Sequence, residues 1–343
     1  MRKLPRLEID FNELNNLYFG TVTSRLMMTA IKMKVFDHLG SPESARNVAE
    51  ALDSHYGNTE LMLDALCACG LVEKKSGRYS NRKLAHAFLV CGKPAYLGEW
   101  LEQADEAMRP FLEKIEDRIR IGPGEVAKAE DMNGETYCER YTASHAASSL
   151  AGIARQFAVQ IEKLPAFSSC RTMLDLGGGP GINAMAVAET NPNLQATVFD
   201  RPEIARMARC YIETYGFADR VRAVGGDYLN DPLGTGYDMI MITDSLYYDD
   251  QKIDRVLEKC GACLRPGGML VGIHAVLTDE RTRPVHLVLD LLAETMTGQA
   301  HMPEKGFLAR ALGRCGFDGI TSTMVVICGI PMEMNVGYAK SSD

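Results

Sequence analysis

The chain has 343 residues, 46% apolar and 24% charged, with a formal net charge of −8. That length implies about two domains with ample core, and an acidic balance with no basic cluster argues against nucleic acid or an anionic membrane as the main partner. The start, MRKLPRLEIDFNEL, lacks a signal-peptide core, no run of about 18 apolar residues could span a membrane, and ten cysteines without an export signal imply reduced thiols and a cytoplasmic location.

Residues 11–39 carry apolar side chains at near-3.6 spacing, among them Leu14, Leu17, Tyr18, Val22, Leu26 and Ile31. This predicts one or two helices. Their apolar face is broader than one neighbour needs, as burial against another subunit requires. Ser44 reads as the N-cap of a helix over residues 45–52, and Asn58 or Thr59 as the cap of another over 60–69, after a turn at His55-Tyr56-Gly57. A hairpin with its turn at Ser76-Gly77 follows. Helices followed by such a wing make a winged-helix pattern. Its second helix, beginning NTELMLD, has no Lys or Arg to engage phosphates, which argues against DNA binding.

Residues 94–121 read as helical, with the single tryptophan, Trp100. Breaks are expected at Gly122-Pro123-Gly124 and Met132-Asn133-Gly134. A long helical stretch over 135–163 carries Tyr141, His145 and Phe157. Next, a short apolar run ends on Asp175, and Gly177, Gly178, Gly179 and Gly181 follow before a helical pattern. A second strand, 196–199, ends on Asp200. Glycines allow positive φ and close backbone approach to a ligand. A helix amino terminus offers N–H groups to the same space, and an acid ending the second strand can hold ribose hydroxyls. The segment is one half of a nucleotide-binding α/β sheet.

The pattern D-x-G-G-G-x-G followed by V-F-D-x-P resembles the S-adenosylmethionine (SAM) loop of class I methyltransferases. It is most similar to the small-molecule O-methyltransferases of the caffeic acid and acetylserotonin type. The resemblance implies a Rossmann-like, doubly wound α/β domain over 167–343 that binds SAM. It further implies a mainly helical winged-helix dimerisation domain over 1–100, a helical connector over 101–166 that lines the substrate pocket, a homodimer, and work in small-molecule biosynthesis. Tyr141, His145 and Ser149 become candidate pocket residues.

Strand and helix alternate through the rest of the chain, as a doubly wound parallel sheet requires. Ligands sit beyond the carboxyl ends of such strands, where Asp175, Asp200, Asp227, Thr243 and His274 fall. The segment 322–329 reads as the terminal strand. In the resemblance, Gly177, Gly179 and Gly181 shape the cofactor loop and Asp200 holds the ribose. GGDY at 225–228 assigns Asp227 and Tyr228 to adenine, and Asp175 and Thr243 lie near the methionine end. Cys260 and the LRPGG run at 264–268 match a further family segment. Cys260 and Cys263 form a lone C-x-x-C inside a predicted helix, which argues against metal or redox use.

One departure matters. Family members that methylate phenols carry a catalytic histidine after the fourth strand, bracketed by two acids. Here the histidine position falls on Tyr247, with Tyr248 beside it as a candidate substrate residue. The acids fall on His274 and His301. Tyrosine, with a pKa of about 10, is a poor base near neutral pH, whereas neutral histidine is a competent one. Three readings stay open. His274 or His301 serves as base, with Tyr247 orienting the acceptor. Alternatively the acceptor is a sulfur, a carbon or an ionised oxygen needing no protein base, so that positioning supplies the rate. Lastly, bound SAM serves hydroxylation or decarboxylation instead. Two histidines without local ligand spacing do not make a metal site.

Overall fold

The computed structural model describes residues 8–122, 135–290, 292, 296 and 303–340. The chain divides into two compact units, Met1–Asp105 and Glu106–Asp343. Among the described residues no helix is long and apolar enough to cross a membrane.

In the first unit, α1 (Asn12–Lys32) leads into a 3-10 turn at Val35–Leu39. After the two-residue β1 (Glu43–Ser44), the Ser44 hydroxyl accepts the Asn47 N–H at 3.1 Å and caps α2 (Ala45–Ala51). The next helix, α3 (Tyr56–Ala68), starts four residues before the sequence suggests. Its cap is His55, whose Nδ1 accepts the Asn58 N–H at 3.2 Å; an imidazole here does what a hydroxyl or carboxylate usually does. Strands β2 (Val72–Lys75) and β3 (Arg78–Asn81) pair antiparallel. Between them Ser76 and Gly77 sit at φ 48° and 76°, the left-handed pair that a tight hairpin needs. With β1 they form a sheet of order β1-β3-β2, followed by α4 (Lys83–Phe88). Phe36, Leu39, Leu63, Leu66 and Tyr79 are fully buried within this unit. The Tyr79 hydroxyl is satisfied by Asp64 at 2.7 Å. The amino-terminal half of α1 is left uncovered: Leu14, Phe19 and Val22 are exposed, and Leu17 and Tyr18 are 76% and 73% exposed. The boundary between the units falls within α5 (Gly98–Glu113).

The second unit holds α6 (Ile115–Ile121), α7 (Glu135–Ser148) and α8 (Ala154–Glu162). A π-helical segment, Ser149–Ile153, joins the last two, with Gly152 at φ 125°. The stretch expected to be helical over 135–163 is helical through Glu162, with a kink at Gly152. The loops expected at 123–124 and 132–134 lie outside the described residues. Then β4 (Thr172–Leu176), α9 (Ile182–Thr190), β5 (Gln195–Asp200), α10 (Pro202–Thr214), β6 (Val221–Gly225) and β7 (Tyr237–Thr243) alternate. They are followed by α11 (Asp250–Cys263), β8 (Leu264–Ala275), α12 (Val285–Asp290), α13 (Phe307–Arg314), β9 (Asp318–Ile327) and β10 (Ile330–Tyr338).

Among the described residues the strands form a seven-stranded sheet of order β6-β5-β4-β7-β8-β10-β9. The pairs from β6 through β8 are parallel, and β10 is antiparallel to both β8 and β9. This corrects the expectation of a terminal strand at 322–329. A further strand, β10, follows it and inserts between β9 and the parallel core. Side chains alternate between two cores, as strand geometry requires. Met173, Met239, Met241, Val271 and Ile273 pack on one face with Ala158, Met185 and Ile212. Leu174, Leu176, Ile240, Ile242 and Leu270 pack on the other with Val256, Leu308 and Leu312.

Candidate active site

Strand β4 pairs with β5 on one side and β7 on the other, so the order of connections reverses between β4 and β7. A crevice at the carboxyl ends of these strands is the usual ligand position in an open α/β sheet. Two segments meet there. The turn after β4 holds Gly177, Gly179 and Gly181 at positive φ of 69°, 54° and 76°. The segment after β7 lies directly against it: the Ser245 hydroxyl donates to the Leu176 carbonyl at 3.2 Å. A methyl group at Gly177 would come within 2.8 Å of Ser245 Cβ. At Gly178 it would come within 2.5 Å of Asp175 Oδ2. Both positions thus exclude a side chain, Gly177 for its left-handed backbone as well.

Asp200 ends β5 and is buried. Its Oδ2 accepts the Gly179 N–H at 2.8 Å and its Oδ1 the Arg201 N–H at 2.7 Å. The carboxylate therefore ties the glycine turn to the neighbouring strand. Desolvation raises its pKa, and the two N–H groups pull it back. Asp175 is different. It is fully buried, and among the described residues neither of its oxygens has a partner. Desolvation, reinforced by the Asp200 charge, pushes its pKa up to about 8. An orphaned buried acid beneath a turn with no room for side chains is a fit for a cationic nucleotide cofactor such as SAM, whose ammonium and sulfonium would supply the missing positive charge. Thr243, at the end of β7, accepts from Asn183 Nδ2 of α9 at 3.2 Å.

Beyond β6, the exposed Asp227 closes its own turn: Oδ1 accepts the Leu229 N–H at 2.9 Å and Oδ2 accepts from Asn230 Nδ2. Lys259 Nζ holds the same turn through the Tyr228 and Asp231 carbonyls, at 2.6 and 2.8 Å. The Tyr228 hydroxyl lies 2.7 Å from that of Tyr248 and donates to the Ser245 carbonyl at 3.2 Å. Burial raises this phenol far above its usual range, and the Tyr248 contact adds to the effect. Tyr248, a candidate substrate residue from the sequence, is thus joined to the residue assigned to adenine.

Tyr247 points elsewhere. Its hydroxyl donates to Asp244 Oδ1 at 3.0 Å, and the Ala275 N–H donates to the same oxygen at 2.9 Å. Desolvation raises the Tyr247 phenol well above its usual value, helped by Asp244 and, less, by Tyr141 on α7 and the Asp290 carboxylate on α12. The Tyr141 and His145 rings meet at a tilt of 54° with centroids 4.2 Å apart. Desolvation lowers the His145 pKa. Ser149 is buried at the start of the π-helical segment. His274 is placed in the interior, fully buried on the α11/α13 face. The Phe307 ring meets it edge-on at 5.3 Å, and among the described residues no group bonds either ring nitrogen. Burial depresses its pKa to about 3, so it stays neutral at any physiological pH. It stands opposite Glu333 of β10, whose carboxylate accepts the Gly306 N–H at 2.7 Å. His301 lies outside the described residues.

Sequence reasoning passed over Asp244 and Ser245. The one available signal was an acid immediately after a buried strand, one residue beyond Thr243. A separate surface cleft of about 450 Å³, lined by Gln195, Thr197, Arg220, Arg222 and Tyr237, opens at the amino ends of the strands, the opposite edge of the sheet from the glycine turn.

A mostly parallel sheet with a glycine turn at its switch point, an acid closing the next strand and a buried acid below is the arrangement of a class I SAM-dependent methyltransferase. The chain belongs to the O-methyltransferase family. The profile of the O-methyltransferase domain matches residues 103–317, and that of the O-methyltransferase dimerisation domain matches residues 15–91. The chain is similar to the 3-hydroxy-5-methyl-1-naphthoate 3-O-methyltransferase of Streptomyces sahachiroi, at 26% identity over 80% of each chain. It is also similar to the N,N-dimethyltransferase OxyT of Streptomyces rimosus, at 30% identity over 78% of this chain and 79% of that one. Its fold matches human N-acetylserotonin methyltransferase, solved in complex with SAM, with a TM-score of 0.79 at 22% identity over 98% of this chain and 100% of that chain. These relatives transfer methyl groups, and the alternative of hydroxylation or decarboxylation finds no support among them.

Proposed function

We propose that this methyltransferase acts on an oxygen of a small aromatic acceptor. The observation that carries this reading is the position of Tyr247. It lies in the segment after β7 that packs on the cofactor turn, and Tyr141 of α7, whose ring meets that of His145, is near enough to raise its pKa. Aromatic side chains suit an aromatic acceptor. When bound, SAM supplies an electrophilic methyl group. Gly177, Gly179 and Gly181 shape its loop, Asp200 reaches its ribose, Asp227 and Tyr228 flank its adenine, and Asp175 and Thr243 face its methionine end. Tyr141, His145, Ser149 and Tyr247 serve the acceptor. The buried, unprotonated His274 has no route to it, so we assign that side chain to packing. Incubation with methyl-labelled SAM and a panel of catechol, 1-naphthol, thiols and thioethers tests the reading: label should enter an O-methyl ether. Tight SAM binding with no label in any oxygen acceptor would overturn it.

The enzyme works as a homodimer through the apolar face of α1. Leu14, Leu17, Tyr18 and Val22 stand exposed on a helix inside the matched dimerisation domain, and such a patch marks an association surface. The double variant L17E/Y18E should weaken self-association at least about 100-fold, given roughly 1.5–3 kcal/mol per buried large apolar side chain. Light scattering after size exclusion checks this: a dimer mass for the wild type and a monomer mass for the variant are expected, and an unchanged mass removes α1 from the interface.

A further inference from the structure

Asp244 is the first residue after β7 and has φ 45°, a left-handed conformation that a non-glycine residue adopts only when its surroundings hold it there. What holds it is the neighbouring strand. Its N–H donates to the Ile273 carbonyl at 3.1 Å, and its Oδ1 accepts the Ala275 N–H at 2.9 Å. The residue is clamped to β8 by backbone and side chain together. Oδ1 also receives the Tyr247 hydroxyl at 3.0 Å. The side chain nonetheless reaches solvent. A carboxylate fixed by these bonds and still exposed is open to an incoming hydroxyl group.

Two consequences follow for Tyr247. Its hydroxyl hydrogen is committed to Asp244. The negative charge beside it, together with Tyr141 and Asp290, holds the phenol in its neutral form. The residue standing where phenol-methylating relatives carry their histidine cannot take up a proton. The carboxylate it points to can. The next residue, Ser245, bonds the Leu176 carbonyl and covers Gly177, so Asp244 lies one residue from the cofactor turn.

We propose that Asp244 is the base that receives the proton of a hydroxyl acceptor, with Tyr247 and the Ala275 N–H acting as positioning groups that fix its carboxylate. The inference rests on the oxygen-acceptor reading above and adds to it that the acceptor arrives protonated. In the step, the acceptor O–H breaks and its proton passes to Asp244. The oxygen pair forms the new O–CH3 bond, and the C–S bond breaks with its pair retained by sulfur. The products are the methyl ether, neutral S-adenosylhomocysteine and a protonated Asp244, which solvent resets. Desolvation raises this carboxyl to about 6, with the Ala275 and Tyr247 bonds opposing the rise. It is then ionised at neutral pH yet more basic than a free aspartate, which suits a general base.

The test compares 1-naphthol, which must lose a proton, with thiophenol, which is largely ionised in neutral water. In the wild type at saturating SAM, kcat for 1-naphthol should rise with pH through about 6, and the two acceptors are compared at pH 8, where thiophenol is ionised and needs no base. D244N should lower kcat for 1-naphthol by about 10²-fold or more and for thiophenol by less than about threefold, the span that general-base catalysis covers. Calorimetric affinity for S-adenosylhomocysteine should stay within about twofold, which also shows that the variant is folded. Carboxyl 13C NMR of aspartate-labelled protein gives a readout without turnover: a resonance titrating near pH 6 should be present in the wild type and missing in D244N. Tyr247→Phe should retain that resonance at a shifted pKa. An unchanged 1-naphthol rate in D244N, an equal fall for both acceptors, or no such resonance in the wild type overturns the assignment. A wild type that methylates only thiophenol overturns the oxygen-acceptor reading instead.

Discussion

Replacing Asp200 with alanine is expected to weaken S-adenosylhomocysteine binding by about 10²- to 10³-fold, because hydrogen bonds to a charged acceptor contribute roughly 1.5–3 kcal/mol each. The effect is large because one carboxylate does two things. Its two oxygens hold the Gly179 and Arg201 N–H groups at 2.8 and 2.7 Å, which sets the shape of the turn. Its remaining lone pairs face the position we propose for the ribose. Alanine leaves two N–H groups without an acceptor in a buried place and frees the turn to relax. D200N should be intermediate, since its amide oxygen can still accept one of the two N–H groups and its NH2 cannot accept the other. Titration calorimetry of both variants with S-adenosylhomocysteine checks the order. Equal affinity in D200A and the wild type removes Asp200 from the cofactor site.

The second large effect concerns Asp175 and is a stability effect with a definite sign. Its folded pKa of about 8 stands above the usual value near 3.8, through desolvation first and the Asp200 charge second. Between those pH values the folded protein without cofactor holds a proton that the unfolded chain releases. The stability this brings is complete below about pH 4 and is lost as pH rises through about 8. Asp200, whose pKa is also raised, acts in the same direction. Asn at 175 cannot ionise. D175N without ligand should therefore lose less stability than the wild type between pH 5 and pH 8.5, by an amount on the order of a few kcal/mol. With S-adenosylhomocysteine the order reverses. The ligand ammonium favours the ionised acid, so the ligand should raise the melting temperature of the wild type more than that of D175N at pH 8.5. Thermal melts at the two pH values, with and without the ligand, decide the matter. Parallel pH profiles for wild type and D175N would show that Asp175 finds a partner in solution that the fold does not provide.

These expectations come from features that differ in how far the sequence reveals them. The Ser44 cap and the Ser76-Gly77 turn were legible because each depends on the dihedral angles and side chains of three or four adjacent residues. Helix α3 was displaced by one turn because His55 is an uncommon cap and Tyr56-Gly57 has turn chemistry. Strand β10 was missed for a related reason. Its residues, IPMEMNVGY, include Pro331 and Gly337, and its second face carries Glu333 and Asn335. Polar residues at alternate positions read as a solvent face. Here they are buried: Asn335 Oδ1 accepts the Ser322 hydroxyl at 2.6 Å and Glu333 takes the Gly306 N–H.

The same contrast runs through the site. The glycine turn, the acid at the end of β5 and the GGDY segment lie in short stretches whose spacing carries their chemistry, so the sequence by itself determined the family and the methyl donor. The resemblance also led to the expectation that Tyr247, or Tyr248 beside it, stands in the histidine position. What that tyrosine faces was decided by the tertiary structure alone. The Asp244–Ala275 bond spans 31 residues and the Ser245–Leu176 bond 69, and each depends on strand order. The burial of His274 rests on a single step of strand alternation, which turns its side chain to Leu270 and Phe307 rather than to the other face of the sheet. A one-residue change of register exchanges the two faces of a strand. Which polar groups meet solvent and acceptor is therefore fixed by long-range pairing, and local spacing carries no record of it.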